Sequence, residues 1–332
     1  MLRRSRQPDR SGPADAPRRR HVLAVALMKV GVVHNPRSHA NMGRSADSWA
    51  PDDVMLVRPA TREALEVDLV AFAARGVELL VIDGGDGTIR DVLSLLPRAF
   101  GDAPPLIALL PSGKTNVLAI DLGVPPGRTL QEALIAARSP RAVVKHRAPL
   151  EVAWDDGRPT MCGFVFGLGA FVRATNMSKS VNRMGAFHGL SVALTVAGAA
   201  AGALMGGARD HWRAGVPLSL SIDDQPTPDA RRFLLMATTL KRLPLGLKPF
   251  GPPREGLKIL DVDAPPKRLL AALAVLLSGG DAGWLPRLGY RRGDARILRV
   301  QTAEAFVLDG EVYDAAGGLT VALGSTLRFL AS

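Results

Sequence analysis

A six-residue run, Asp83-Gly84-Gly85-Asp86-Gly87-Thr88, constrains this chain more than any other feature. It follows an apolar run at residues 77–82. It precedes Ile89, Val92, Leu93 and Leu96, whose spacing lays an apolar stripe along one face of a helix. Three glycines let the backbone adopt positive φ and bring its N–H groups close to a ligand. The following helix, expected to start near Thr88, aims its N-terminus at the same point. Strand, glycine turn and helix N-terminus together make an anion site of the phosphate type. An ordinary glycine turn with an Asp cap is the competing explanation, and the setting between a buried strand and a helix weighs against it. Asp86 inside such a loop repels phosphate unless it orients Mg²⁺ or a bound water.

The surrounding sequence repeats this alternation. Apolar residues 30–34 end at the turn signal Asn35-Pro36, and residues 54–57 are followed by Pro59. Thr61 can cap a helix whose apolar face is Leu65, Leu69 and Phe72, with Gly76 as its stop. The helix after the glycine run is expected to stop at Pro97. Residues 106–110 read as another strand. They lead into Pro111-Ser112-Gly113-Lys114-Thr115-Asn116 and a helix over about 116–122. Short buried strands alternating with helices imply a Rossmann-like parallel sheet with helices on both faces. Ligands of such sheets bind beyond the carboxyl ends of the strands, where both polar loops fall. The second loop resembles the end of a Walker A sequence, but Ala108 stands where that motif needs glycine, which argues against a P-loop NTPase. Lys114 is positioned to neutralise phosphate charge from a second wall of the same cleft.

Beyond about residue 145 the texture changes. Strand-like runs appear at 150–154, 161–166, 218–222, 233–238, 257–262, 297–300, 305–308 and 319–323, separated by turns such as Asp155-Asp156-Gly157 and Gly317-Gly318. This predicts a mainly antiparallel β-sandwich with one or two inserted helices. The expected division is a basic tail at 1–27, an α/β domain at 28–145 and a β-rich domain at 146–332. Near the end, Asp309-Gly310-Glu311 sets two carboxylates around a glycine after an apolar strand, which a plain hairpin turn would also do.

Composition excludes some classes and favours others. The formal net charge is +11, and residues 1–20 alone hold seven Arg and two Asp. That tail reads as disordered. The natural start is read at Met28, and residues 21–28 are too short an apolar run, with no convincing cleavage site, for a signal peptide. A basic surface favours anionic partners. With aromatics at 5% and no aromatic-interleaved basic helix, nucleic acid is not expected, and an anionic membrane face is. The single cysteine, Cys162, allows no intrachain disulfide and fits a reducing cytosol. Residues 189–207 are uncharged and long enough to span a bilayer. They are rich in Ala and Gly, so a buried or lipid-site helix is expected there instead.

Taken together, Gly84–Thr88, Asn35-Pro36, Pro111–Asn116 and Asp309-Gly310-Glu311 resemble the diacylglycerol kinase and sphingosine kinase superfamily of lipid kinases, over about residues 29–332. The resemblance implies an α/β domain that binds ATP with Mg²⁺ and a β-rich domain that closes the cleft and holds a lipid alcohol. On that resemblance Asn35, Gly84, Gly85, Asp86, Gly87 and Thr88 contact the nucleotide. Gly113 and Asn116 line the same pocket, beside the Lys114 read above as a phosphate contact. Asp86 serves the metal, Asp309 is the general base and Glu311 sits beside it. Lys114 and Val117 stand where the family pattern has Thr and Asp. The protein is expected in the cytoplasm, peripherally attached to membrane, with a homodimer among the expected assemblies. A soluble acceptor, as in NAD kinases, and a catalytically weak binding protein are the alternatives.

Overall fold

The computed structural model describes residues 28–42, 54–183 and 209–331. The expectations for the basic tail at 1–27 and for the Ala-rich run at 189–207 lie outside these residues.

The first domain is a six-stranded sheet. Its strands are β1 (Val30–His34), β2 (Val54–Val57), β3 (Leu79–Gly84), β4 (Leu106–Pro111) and β5 (Val144–Arg147), completed by the last strand of the chain, Leu327–Leu330. Their order is β2, β1, β3, β4, the C-terminal strand, β5. All neighbours are parallel except the final pair. Successive side chains point to opposite faces, so one strand feeds two cores. Leu80 and Ile82 of β3 pack with Leu69 and Phe72 of helix α1 (Arg62–Ala74), Leu93 and Leu96 of α2 (Asp86–Phe100) and Leu118 of α3 (Val117–Leu122). Leu79 and Val81 pack on the other face with Leu130 and Leu134 of α4 (Leu130–Arg138). Thr61 caps α1 as expected, its hydroxyl accepting from the Ala64 N–H.

Two boundaries depart from the sequence expectation. Helix α2 begins at Asp86 rather than Thr88 because Gly85, in extended conformation, serves as its N-cap. It also runs through Pro97 to Phe100, with the Gly101 N–H bonding back to the Pro97 carbonyl. Pro97 is exposed, while Ala99 and Phe100 of the extra turn pack on the core.

The second domain begins with β6 (Leu150–Trp154), β7 (Met161–Gly163) and β8 (Val165–Gly169), and all its strand pairs are antiparallel. Two strand sets, joined along Ala230–Arg232, enclose a core that includes Phe166, Leu168, Leu235, Val300 and Phe306. The run expected as one strand at 161–166 is two, broken at Phe164. The expectation that everything from residue 146 onward belongs to this domain is corrected by Leu327–Leu330, which returns to the first sheet beside β4. The β domain is thus inserted between β5 and the last strand. Asp121 of α3 secures the join. Its buried carboxylate accepts from Arg147 Nε at 2.5 Å and from the Arg242 N–H at 2.7 Å.

Candidate active site

The glycine run sits where the sheet ends. Asp83 is the penultimate residue of β3, and its buried carboxylate is a hub. Oδ1 accepts from Ser112 Oγ at 2.5 Å and Asn41 Nδ2 at 2.9 Å, while Oδ2 lies 2.6 Å from His34 Nδ1. One side chain therefore ties together the end of β1, the loop after it and the loop after β4. Asn35 extends the tie, donating from Nδ2 to Thr88 Oγ1 at 2.8 Å.

The two polar loops touch backbone to backbone. A Cβ on Gly85 would stand 2.9 Å from Gly113 Cα, and one on Gly113 would stand 2.6 Å from Gly85 Cα. Only glycine at both positions allows this approach. A cavity of about 550 Å³ opens beside the contact, its walls including Asn35, Gly85, Gly87, Thr88, Gly113 and Lys114. Six of the residues expected from sequence to contact a nucleotide thus surround one space.

Asn116 has a different position from the one expected. It adopts positive φ, accepts from the Gly113 N–H through Oδ1 and donates to the Gly113 carbonyl through Nδ2, both at 2.9 Å. Its amide closes its own loop, and the cavity wall does not include it. Glu311 is likewise outside that wall, exposed on the strand Glu311–Asp314.

Asp86 points across to α3, its Oδ1 accepting from the Val117 N–H at 2.8 Å. Burial pushes its carboxyl up to about 7, and the neighbouring Asp309 charge adds to the rise against the pull of backbone N–H groups at Val117, Asn116 and Leu118. Val117, an unexpected residue by the family pattern, serves here through its backbone.

Asp309 and Gly310 form the two-residue turn between Ala305–Leu308 and Glu311–Asp314, with φ of 49° and 82°. Asp-Gly suits such a turn because both positions need positive φ. The plain hairpin is therefore present, and its first residue also faces the domain boundary. Asp309 Oδ1 accepts from the N–H groups of Phe164 at 2.9 Å and Val165 at 2.8 Å, at the break between β7 and β8. Burial pushes its carboxyl up to about 6, opposed by those two N–H groups and by the Arg90 charge. The charge of Asp309 thus reaches Asp86 from the other domain, and both carboxyls are held above the usual range, as suits groups that transfer protons.

Sequence reasoning missed Asp83 as a hub, with its partners His34, Asn41 and Ser112, and it missed Arg90. Asp83 heads the glycine run, but its partners are 29 to 49 residues distant and nothing local announces them.

The fold and the cleft define a two-domain protein with a phosphate-type loop on one side and a carboxylate delivered from the other. Residues 29–145 match the family model of the diacylglycerol kinase catalytic domain. The probable lipid kinases YegS of Shigella flexneri and of Escherichia coli O157:H7 are each 37% identical over 68 residues, a stretch covering 20% of this chain and 22% of theirs. The matched stretch thus spans about a fifth of the length of those curated relatives. The crystal structure of a diacylglycerol kinase from Bacillus anthracis superposes over 92% of this chain and 97% of that one, with TM-score 0.60 and 15% identity. A second crystal structure from the same organism reaches a TM-score of 0.65 at 16% identity. At such identities the likeness is one of fold. Residues 29–145 thus resemble the diacylglycerol kinase catalytic domain, and the chain shares its fold with these solved structures.

Proposed function

We propose that the protein is an ATP-dependent lipid kinase that transfers the γ-phosphoryl group to the hydroxyl of a lipid alcohol. The single observation that carries this reading is the meeting of Asp309 from the β domain with the loop Gly84–Thr88 from the α/β domain. Phosphoryl transfer needs positioning and charge neutralisation more than covalent help. The touching glycine loops offer backbone N–H groups and a helix N-terminus to the phosphates, and Lys114 adds a mobile positive charge at the rim. Asp309 takes the acceptor proton on its carboxylate, which the Phe164 and Val165 N–H groups hold in place.

Among the described residues no three His, Cys, Asp or Glu side chains gather into a metal cage. Mg²⁺ commonly takes one or two carboxylates and completes its shell with phosphate oxygens and water. Asp86 fits that mode, being desolvated and beside a second carboxylate whose charge a cation would offset. When bound, the ion neutralises phosphate charge. The same acids repel one another less, and Asp309 stays available for the proton.

The acceptor is assigned to the lipid class on the superfamily resemblance. The contact with anionic membrane is supported by the helix Leu269–Ser278, which holds no charged residue, leaves Leu270 63% exposed and follows exposed Lys267 and Arg268. No described helix is long and apolar enough to cross a membrane. The test is purified protein with Mg²⁺, radiolabelled ATP and total lipid extract, with products identified by mass spectrometry. Label in a lipid is the expected result, and label in NAD alone would move the protein to the soluble-acceptor class.

A further inference from the structure

Arg90 is a buried cation in the wall of the cavity, one turn into α2 and four residues after Asp86. Its side chain is 10% exposed. Nε and Nη2 lie 3.3 and 3.2 Å from Asp91 Oδ1, and the guanidinium carbon lies 5.6 Å from the ring centroid of Tyr313 in the other domain. Nη1 is buried and makes no hydrogen bond. The charge also reaches Asp309, whose carboxyl it draws down against the effect of burial.

A buried charged donor without an acceptor is costly to hold and is retained where something pays that cost. Three features indicate what does so here. The residue shares its cavity with the glycine loops and Lys114, which favours an anion. Its plane is fixed from below by Tyr313 and from the side by Asp91, so little freedom is lost when it binds. It lines the cavity beside the phosphate loops, and its charge reaches Asp309 in the other domain.

Resting on the kinase reading above, we infer that Arg90 contacts the phosphoryl group in flight and stabilises the charge spread over its equatorial oxygens, a built-in arginine finger. In that step the acceptor hydroxyl gives its proton to Asp309 and its oxygen forms a bond to the γ-phosphorus. The bond from that phosphorus to the β,γ-bridging oxygen breaks, and its electron pair leaves with ADP. Arg90 keeps its proton throughout and acts by charge and hydrogen bonding. Lys114, exposed on a flexible stem, binds ground-state phosphate from the rim and does not replace it.

The experiment compares the wild-type protein with Arg90→Lys and Arg90→Ala. Both variants are checked for folding by circular dichroism and thermal melting. The readouts are kcat and KM for ATP, affinity for ADP with and without aluminium fluoride, and rescue of Arg90→Ala by added guanidinium. The expected result is a fall in kcat of about 10²-fold or more in both variants. KM for ATP should stay within about threefold, because the contact forms in the transition state. The gain in affinity that wild-type protein shows for ADP–aluminium fluoride over ADP should disappear, and guanidinium should restore part of the rate to Arg90→Ala. Unchanged kcat in Arg90→Lys, or a pure KM effect, overturns the inference and leaves the kinase reading standing. If Arg90→Ala fails to fold, Arg90→Lys decides. No turnover by wild-type protein on any acceptor overturns both.

Discussion

The two sides of the cleft are built by opposite means. On the α/β side, position comes from many weak constraints: a carboxylate hub at Asp83, a backbone contact at Gly85 and Gly113, and helix α2 leaving directly from the loop. On the β side it comes from one residue. Asp309 sits in a left-handed turn position with its carboxylate latched onto Phe164 and Val165. The first construction suits a site that must match a large polyanion at several points. The second suits a single acid whose placement matters within a fraction of an ångström. Adjacent acids on the first side teach the same lesson. Asp83 spends its lone pairs on structure, whereas Asp86, three residues on, is left close to neutral pH in its ionisation.

Breaking the single-residue side should have the largest consequence. Asp309→Asn is expected to lower kcat by about 10³-fold or more, while ATP affinity measured by calorimetry stays within about threefold. The Asn oxygen can still accept from Phe164 and Val165, so the melting temperature should hold. Loss of ATP binding instead would show that Asp309 belongs to the nucleotide side.

Removing the hub should affect stability first. Asp83→Ala leaves Asn41, Ser112 and His34 without their shared partner and should destabilise the protein by about 3 kcal/mol in a denaturant titration. A change below about 1 kcal/mol would mean the hub is dispensable.

A smaller effect is expected where the loops touch. Gly113→Ala must push Gly85 away, so ATP affinity should fall about tenfold, with a stability loss of about 1–2 kcal/mol. Unchanged affinity would mean that the backbone contact does not shape the phosphate site.

The gentlest probe is pH. The rate should decline as pH drops through about 6, where Asp309 takes up a proton. Stability has the opposite slope. Both Asp86 and Asp309 bind protons more tightly when folded than when unfolded, so the folded state is favoured below their ordinary values near 3.8. That advantage is lost as pH rises through about 6 and 7. Melting temperature should therefore fall between pH 4.5 and 7, and fall less in Asp86→Asn. Equal slopes would remove Asp86 from the account.

The sequence made the α/β side legible because its signals are local. Apolar runs bounded by turn residues located β1 and β2 to the residue, and the glycine run declared its own geometry. What escaped depends on partners remote in the chain. Leu327–Leu330 alternates like any strand, and alternation sets which face is buried but not which sheet it joins. Arg90 between Ile89 and Val92 reads as the wet side of an amphipathic helix. It is buried where Tyr313 of the other domain lies against its guanidinium. Asn116 was legible as a loop residue but not in its orientation, since an amide can turn inward to its own backbone as readily as outward to a ligand.

The return of the last strand also determines how the two domains are joined. The chain leaves the first domain after β5 and re-enters it at Leu327, and these ends are paired, Arg147 opposite Leu327. Across the gap the two crossings stay side by side, with the Gly324 N–H bonded to the Pro149 carbonyl. The β domain is therefore anchored twice over: by this two-strand ribbon, and by Cys162, Phe164 and Leu240, which pack into the core beneath α2 and α3. With the Cys162 N–H also bonded to Ser94 Oγ of α2, the break that carries the Asp309 latch is fastened to the helix that leaves the glycine loop.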